Sequence, residues 1–485
     1  MISNSIYNLI GGLVRLGLGL LSAPLLLVWL GAKTYGLYVI ILSIINFSLV
    51  FETTIPIVFT VFIAGDAKNN LPNTITQEDV LRVCLWMIVI LSAITLSILY
   101  SAPTLIVAFF DRLTPSEQLL LTNGIKFSSF IVAIRLFQQF FIGIEQANGN
   151  FKLFNVLNSL FNITQTLSIL LITFFSRNIT FLLYTQLTIA LLFTGIHAFV
   201  CFRKKLITPI SLWGIPDKYL AKSMAAYAGR SGLSSIGILL FSQGDKLLVG
   251  KLIGLESAGV YAAITTLTSQ INSLSALPVQ PVISEVSRIK ANTNQEQSGG
   301  LSSKVQLSNV LGKTLQINSF IAFGCGCIIV LLAPELIQIL FKNVLANADE
   351  LVFSLRLITV IYTIYSLNAV GYYVLYATHN ELENTVIVSF SGILSLCLIA
   401  WLGTHFGLIG ALLGNIGYLT TLYLPFRAFH RLNLPKIILL QEWYLPFFLL
   451  SISVFTCFLS GDFWIRTFVV LCIALYLPSK YVKLI

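Results

Sequence analysis

The sequence predicts an all-α polytopic membrane protein of about 14 transmembrane helices, arranged as two six-helix lobes around a central cavity plus a C-terminal helix pair. Hydrophobic residues make up 56% of the chain and charged residues only 10%, whereas a soluble domain carries about 25% charged residues. The mean hydropathy is +0.89. Apolar runs far longer than about ten residues exclude an outer-membrane barrel.

Each predicted span is a mostly apolar run of about 20 residues, long enough to cross a bilayer as a helix. The runs cover 5–30, 36–62, 82–110, 118–143, 153–175, 180–202, 223–250, 258–283, 313–341, 351–377, 384–404, 406–430, 442–460 and 462–480. The connections between them leave no room for a soluble catalytic domain, so we expect that the protein is not an enzyme. The predicted domains are an N-terminal lobe, a cytoplasmic linker, a C-terminal lobe and an additional helix pair, at 1–202, 203–222, 223–435 and 436–485.

Lysine and arginine are unevenly distributed between the two sets of connections. If the N-terminus is cytoplasmic, the cytoplasmic set is the richer one and includes Arg203, Lys204 and Lys205. The positive-inside rule therefore predicts that both termini are cytoplasmic. Such a basic run also attracts anionic lipid. No basic cluster is dense enough for a nucleic-acid interface, although the net charge is +10.

Two short motifs indicate an internal repeat. Residues 31–38 and 254–261 both have the pattern G-x-x-x-x-G-x-Y, and each joins an odd-numbered span to the next one. A softer match relates 146–150 after span four to 376–380 after span ten. The repeat predicts two lobes of the same orientation, related by an axis along the membrane normal, with a cleft suited to alternating access.

Arg15 and Glu52 are ionisable residues inside the first two spans. A charge at the bilayer centre costs at least about 2.5–3.5 kcal/mol on insertion scales, so each requires a reason. Arg15 shares a helical face with Asn8, and Glu52 lies at a similar depth in span two. The two could pair and hold the lobe together. A role in binding substrate or a proton is the alternative.

Further candidate charges lie in spans four, seven and ten. Arg135 lies near the middle of span four, on the side of Gln138 and Gln139, and we expect it to face a watery cavity or to reach Glu52. Arg230 lies near the cytoplasmic side of span seven. Asp245, on a stripe of hydroxyl side chains in that span, is a candidate proton or sodium site, or it is neutralised by Lys246 at the outer surface. Arg356 in span ten either faces the cavity or snorkels to the interface.

Cations outnumber acids among these residues, and guanidinium groups bind phosphate bidentately, so the predicted cavity suits an anionic cargo. Neutral hydrogen-bonding side chains could contact a sugar, although tyrosine near span ends is also typical of the interfacial belt. They are Tyr7, Asn8, Asn46, Tyr362, Tyr365, Asn368, Tyr372 and Tyr373. Three histidines fall at span ends, where we expect interfacial positions without a function: His197, His405 and His430.

Several segments resemble the polysaccharide flippases of the O-antigen type (Wzx-like), in the superfamily that includes the multidrug and toxin extrusion exporters. The resemblance covers most of the chain. The residues that carry it are Tyr7 through Gly11, Pro24, Leu30 through Tyr38, Asp245 through Gly250, Gly254, Gly259 through Tyr261 and Pro278 through Glu285. The chain departs from the commoner twelve-span members by its terminal helix pair.

The resemblance implies a flippase that moves an undecaprenyl-pyrophosphate-linked repeat unit across the bacterial inner membrane for surface polysaccharide such as O-antigen or capsule. It implies that Arg15, Arg135 and Arg230 face the diphosphate. The implied partners are the polyprenyl-linked glycan, membrane lipid and other polysaccharide-assembly proteins. No cofactor or metal is expected, and Glu52 or Asp245 would serve H⁺ or Na⁺ coupling.

Two other functions remain open at this point. An ion-coupled multidrug exporter of the same superfamily would need buried acids for cationic drugs, and Glu52 and Asp245 are the candidates. A membrane-embedded polymerase or glycosyltransferase would need a carboxylate pair, a metal site or a large extramembrane loop, and the sequence shows none of these.

Overall fold

The computed structural model describes most of the chain. The described residues are 17–19, 21–46, 55–56, 58–59, 62–63, 76–110, 113–148, 150–207, 214–280, 282, 285–289, 300–341, 348–378, 380–459, 466 and 469, with the backbone alone at 151–152, 230–242, 300–303 and 458–459. Helices form all the regular structure within these ranges, and eight of them are long and apolar enough to cross a membrane. The predicted class, an all-α multi-pass membrane protein, is confirmed.

Sixteen α-helices are used below to describe the architecture. They are α1 (21–30), α2 (Ala32–Asn46), α3 (Gln77–Ser101), α4 (Pro103–Ala108), α5 (Pro115–Ala147), α6 (Phe151–Ser176), α7 (Ile179–Arg203), α8 (Lys218–Leu252), α9 (Leu255–Ala276), α10 (Gly300–Leu331), α11 (Ala333–Leu340), α12 (Ala348–Tyr365), α13 (Asn368–Ala377), α14 (Glu381–Gly414), α15 (Tyr423–Arg431) and α16 (Ile437–Leu459).

Polar residues in the sequence set where several of these helices begin. Thr76 and Asp79 form a capping box, in which each side chain accepts the backbone N–H of the other residue. Asp217 accepts the N–H of Leu220 at 2.7 Å and so caps α8. These bonds satisfy N–H groups that have no partner inside the helix. Because of its cap, α8 begins at Lys218, inside the stretch predicted as a linker.

The predicted boundary between spans eleven and twelve lies inside α14. Gly407 has a φ of 61° and a ψ of −140°, which breaks the helix there. The following chain then returns alongside the first half, since Gly414 closely approaches Ile399 and Gly417 approaches Ser395. A 3₁₀ helix, Asn415–Leu422, leads into α15. The break therefore separates two spans, as predicted. The last predicted span, 462–480, lies almost wholly outside the described residues.

The chain divides into two compact units. Unit 1 falls within Met1–Leu18 and Trp29–Gly259, and unit 2 within Gly19–Val28 and Val260–Ile485. Helix α8, which the sequence assigns to the C-terminal lobe, packs against α2 in unit 1. The lobe boundaries drawn from the sequence stay a prediction.

Helix α5 is the centre of unit 1. It packs against α2, α3 and α7, while α6 packs against α7. Small residues on α5 allow close contact: an added Cβ at Gly124 would lie 2.4 Å from Ile41, and one at Gly143 would lie 2.6 Å from Phe59. The core of this unit is thus built around the helix that carries Arg135.

The core of unit 2 forms where α10 packs against α12 and α16, and α13 against α15. Phe323 and Phe429 are buried in it, and Trp443 of α16 joins the same cluster. Phe323 meets Phe447 edge to face, with ring centroids 5.3 Å apart. The first helix of the predicted C-terminal pair is therefore a packed part of unit 2.

Equivalent side-chain contacts support the internal repeat. Tyr38 and Tyr261, the tyrosines of the two G-x-x-x-x-G-x-Y motifs, are both fully buried. Gln186 Nε2 donates to the Tyr38 hydroxyl at 2.5 Å, and Asn415 Nδ2 donates to the Tyr261 hydroxyl at 3.0 Å. In the predicted numbering, span two thus bonds to span six and span eight to span twelve. The two copies form the same contact with different amides.

The backbone repeats as well at the ends of matching helices. After α5, the N–H of Asn150 bonds to Glu145 O, and after α13 the N–H of Asn380 bonds to Leu375 O, both at 2.9 Å. The α7 and α15 helices end in the same left-handed turn, at Lys205 and Asn433, with φ values of 54° and 53°. These paired terminations lie in the order that two copies of one unit would give.

Candidate substrate and ion-coupling residues

Several of the predicted site residues lie outside the described part of the chain. They are Tyr7, Asn8, Arg15 and Glu52. The backbone at Arg230 is helical, within α8, but its side chain is not described. The proposed Arg15–Glu52 pair therefore stays a prediction, and Arg135 and Asp245 are the members of the set whose surroundings the structure describes.

Arg135 lies near the middle of the 33-residue helix α5. Its side chain is half-buried, between the buried side chains of Gln138 and Ser128, which lie one and two turns away on the same helix. The hydroxyl group of Ser128 donates a hydrogen bond to Gly124 O of the same helix at 2.7 Å. A guanidinium group carries five N–H donors in a fixed planar arrangement. This arrangement suits the binding of two oxygen atoms of one phosphate.

Asp245 lies near the C-terminal end of α8, on the side of unit 1 where α8 meets α2. Its side chain is only 4% exposed, and Oδ1 accepts the backbone N–H of Lys246 at 2.7 Å. Two residues earlier, Gln243 Oε1 accepts a hydrogen bond from Asn46 Nδ2 of α2 at 3.4 Å. The buried carboxylate supplies oxygen atoms of the kind that a proton or Na⁺ would use.

An apolar groove of about 610 Å³ also lies in unit 1. Its lining comes from α2, α3, α4, α5 and α8 and includes Ile44, Leu91, Phe109, Val132 and Leu247. Lys251 Nζ lies 3.9 Å from the ring centroid of Phe109. Hydrocarbon surface with a cation at its edge suits the acyl or isoprenoid chain of an anionic lipid.

In unit 2, two of the tyrosines named from the sequence, Tyr362 and Tyr365, form a ring cluster with Tyr418. The ring centroid of Tyr365 lies 5.8 Å from that of Tyr362 and 5.6 Å from that of Tyr418, and all three side chains are half-buried. Nearby Asn368 bonds within the protein: its Nδ2 donates to Thr421 Oγ1 at 3.1 Å, and its side chain also bonds to that of Tyr365. The cluster brings three aromatic rings together in unit 2.

Arg356 contributes to a structural contact of unit 2. Its Nε donates to Val330 O at 3.2 Å, in the last turn of α10. Arg466, only 5% exposed, donates to the next carbonyl, Leu331 O, and to Glu335 Oε1 at 2.8 Å. Both arginines satisfy carbonyls that the end of α10 leaves without helical partners. The two alternatives for Arg356, the cavity and the interface, stay predictions.

A buried ion-pair partner was missed by the sequence analysis. His197, expected at an interface, is fully buried, and its Nδ1 lies 2.9 Å from Oε1 of the equally buried Glu145. His197 does not lie at an interface as expected, because α7 packs this histidine against α5; its lack of a function stays an expectation. The sequence does contain a pattern that could have predicted this pair: an acidic residue near the end of span four and a histidine at a similar depth in span six. His430 is exposed, as expected.

Comparison with known proteins adds a family and a fold. Residues 1–287 match the sequence profile of a family described as polysaccharide biosynthesis protein. Among curated protein sequences, none matches significantly. Similar solved structures include the lipid II flippase MurJ in an inward closed conformation, with a TM-score of 0.73, 15% identity and coverage of 100% of both chains.

Two transporters of the MOP superfamily are also similar. An inward-facing multidrug resistance MATE family transporter has a TM-score of 0.68 and 14% identity over 88% of this chain and 98% of its own. A MOP superfamily transporter from Pyrococcus furiosus Vc1 has a TM-score of 0.58 and 15% identity over 90% and 96%. At these identities the likeness concerns the fold, which is that of membrane flippases and transporters.

Proposed function

Because the chain belongs to the polysaccharide biosynthesis protein family, we propose that it is a flippase for a polyprenyl-pyrophosphate-linked oligosaccharide repeat unit. It moves this cargo across the bacterial inner membrane by alternating access, for a surface polysaccharide such as O-antigen or capsule. The observation that carries the proposal is the family match over residues 1–287. The fold of a lipid-linked flippase over the full chain supports it.

The residues assigned to the cargo are Arg15, Arg135 and Arg230, with Tyr7 and Asn8. Arg135 supports the assignment because it lies half-buried near the middle of the central helix of unit 1, where an ionisable side chain requires a reason. A guanidinium can bind two oxygens of the diphosphate at once. The tyrosine cluster of unit 2 offers aromatic faces to the sugar rings.

Ion coupling is assigned to Glu52 and Asp245, with H⁺ or Na⁺ as the ion. The burial of Asp245 supports this, because an ionisable side chain at 4% exposure within an apolar helix requires a reason. The proposed orientation has both termini in the cytoplasm, on the basis of the lysine and arginine distribution. The proposed partners are the lipid-linked glycan, membrane lipid and other polysaccharide-assembly proteins.

Deletion of the gene in its native host is expected to remove surface glycan and to cause its lipid-linked repeat unit to accumulate. The cargo would still be made in the cytoplasm but would not reach the outer leaflet. Gel analysis of surface glycan and mass spectrometry of extracted lipids measure the two effects, and re-expression of the gene is the control.

A cation-coupled drug exporter is the second candidate, favoured by the likeness to MATE transporters. It predicts the opposite phenotype on deletion: unchanged surface glycan and new sensitivity to cationic dyes. That result would reject the flippase. Loss of glycan together with accumulation of the repeat unit identifies the cargo at the same time, through the mass of the lipid.

A further inference from the structure

Glu145 and His197 form a pair that has no part in the roles proposed above. The pair joins α5 to α7 near the ends of these two helices, at Ala147 and Arg203. Both side chains are 0% exposed, and Glu145 Oε1 lies 2.9 Å from His197 Nδ1. In the described part of the chain, their other polar atoms, Glu145 Oε2 and His197 Nε2, have no hydrogen-bond partner. A buried polar atom without a partner is rare in a stable core and calls for a reason.

Apolar residues next to Glu145 on α5 are buried as well. Ile142 and Ile144 are 3% and 0% exposed. Because the side chains of Glu145 and His197 are themselves 0% exposed, a net charge on the pair is held away from water, which is costly for a carboxylate or an imidazolium.

The titratable neighbours lie mostly on α7. The Cys201 thiol donates to Phe141 O at 3.7 Å and is close enough to Glu145 to be influenced by its charge. Lys204 is exposed and donates to Asn150 Oδ1 at 3.2 Å. On α3, which also packs against α5, Cys84 is buried and Arg82 pairs with Asp79 at 3.1 Å. Lys152 lies on α6, and its side chain is not among those that the structure describes.

The protonation states of the pair differ in net charge. With no transferable proton, a neutral histidine beside a carboxylate carries −1; with one added proton the pair is neutral, and with two it carries +1. Only the one-proton state is neutral, whether the proton is on the imidazole or on the carboxyl group. The dry packing of α7 on α5 therefore selects that state over both charged ones.

We propose that Glu145 and His197 form a one-proton site whose loading holds the end of α7 against α5. Release of the proton leaves a net negative charge, which is stable only when water enters, so the two helix ends separate as the proton leaves. In the flippase proposed above, this would link proton release to a change in the packing of unit 1. That link rests on the proposed function, whereas proton binding by the pair does not.

The direction of the pH dependence follows from linkage. A hydrated histidine loses its proton near about pH 6.5. Above that value the packed pair holds one proton more than the hydrated pair, so packing weakens as the pH rises. One proton changes the equilibrium between the packed and open ends by up to about tenfold per pH unit.

Hydrogen exchange of the full chain in lipid nanodiscs, without cargo, tests the site. Peptides covering 141–147 and 197–203 would be followed from about pH 6 to pH 9 and corrected for the intrinsic base-catalysed rate, the range being set around the histidine value. After this correction, the opening equilibrium constant of the wild-type helix ends is expected to increase with pH, by up to about tenfold per pH unit. A flat profile in the wild type overturns the proposal without the use of any variant.

Glu145→Gln sharpens the test because it reverses the sign. A glutamine beside a neutral histidine needs no proton, so the packed state of this variant is stable at high pH and opens as the pH falls and the imidazole becomes charged. A variant that keeps the wild-type slope contradicts the proposal. Combining Glu145→Gln with His197→Asn removes both groups that titrate, so this double variant is expected to give a flat profile, and it serves if Glu145→Gln alone folds poorly.

Tyr38→Phe is the matched control. It removes another buried hydrogen bond between α7 and the rest of unit 1, donated by Gln186, without removing a group that titrates near neutral pH. Its exchange should be faster than wild type by the same factor at every pH. An equal response of this variant and Glu145→Gln would mean that the pair is only structural. The exchange experiment contains no cargo, so its result does not depend on whether the protein is a flippase. The proposed flippase function is tested separately, by deletion of the gene.

Discussion

Gly36→Ala is expected to prevent stable folding of unit 1. The Cβ added at Gly36 would lie 1.8 Å from Leu255 O and 2.7 Å from the carbonyl carbon. These atoms belong to the backbone of α9 and cannot rotate away, so the two helices would have to separate. Overpacking costs about 1–3 kcal/mol in cores that can adjust, and we expect more than about 3 kcal/mol here. The measurement is the yield of monodisperse protein and its thermal midpoint.

Gly259→Ala probes the other side of the same contact. Its Cβ would lie 2.3 Å from Ala32 O, so the two substitutions should have similar effects. Gly195→Ala, on α7, is the matched control because nothing lies within 4 Å of the added Cβ. Alanine in a helix interior is favoured over glycine by about 0.5–1 kcal/mol, so this variant should be as stable as wild type or slightly more so. A Gly36→Ala protein with the wild-type midpoint would refute the close contact.

The motif that contains these glycines shows what sequence can predict about the fold. Gly36, Gly259 and the two tyrosines were identified from spacing alone, and the structure gives each copy the same buried tyrosine. The partners Gln186 and Asn415 could not be found in this way, because they differ in side chain and lie about 150 residues along the chain from their tyrosines. A local sequence pattern can identify a residue that makes a contact. Which residue it contacts depends on how the helices pack in three dimensions.

The fold class was predictable because lipid leaves the backbone few options. Every N–H and C=O within the bilayer must be satisfied inside the segment, so long apolar runs form helices. The breaks inside spans were harder to predict. Pro103 interrupts span three, and the break at Leu367, between α12 and α13 inside span ten, involves neither glycine nor proline. Hydropathy averages over these positions and therefore gives the span but not its interruption.

The candidate site was predictable only in part. A charged residue deep in an apolar run, such as Arg135 or Asp245, stands out because its cost is visible in the sequence. Glu145 and His197 do not stand out, because each lies near the end of a span, where charge is common. Their burial depends on the packing of α7 against α5, and 52 residues separate them in the chain. Paired residues near span ends are thus invisible to an analysis of single spans.

Arg135→Ala is expected to reduce flipping of the lipid-linked repeat unit by roughly 10- to 100-fold while leaving the protein in the membrane. Removal of the guanidinium removes charge-assisted hydrogen bonds to the diphosphate, which contribute about 1.5–3 kcal/mol, and each 1.4 kcal/mol is about tenfold. Complementation of the deletion strain measures the effect through surface glycan and accumulated precursor. Immunoblots of membrane fractions give the amount of inserted protein.

Arg135→Lys separates the charge from the shape of the side chain. Lysine keeps the positive charge but contacts one oxygen at a time, so flipping should be intermediate between Arg135→Ala and wild type. Arg203→Ala, an exposed arginine on α7 of the same unit, is the control and should complement fully. Full complementation by Arg135→Ala would remove this residue from the cargo site. Loss of the protein from the membrane would instead assign Arg135 to folding, since its half-buried side chain also packs within unit 1.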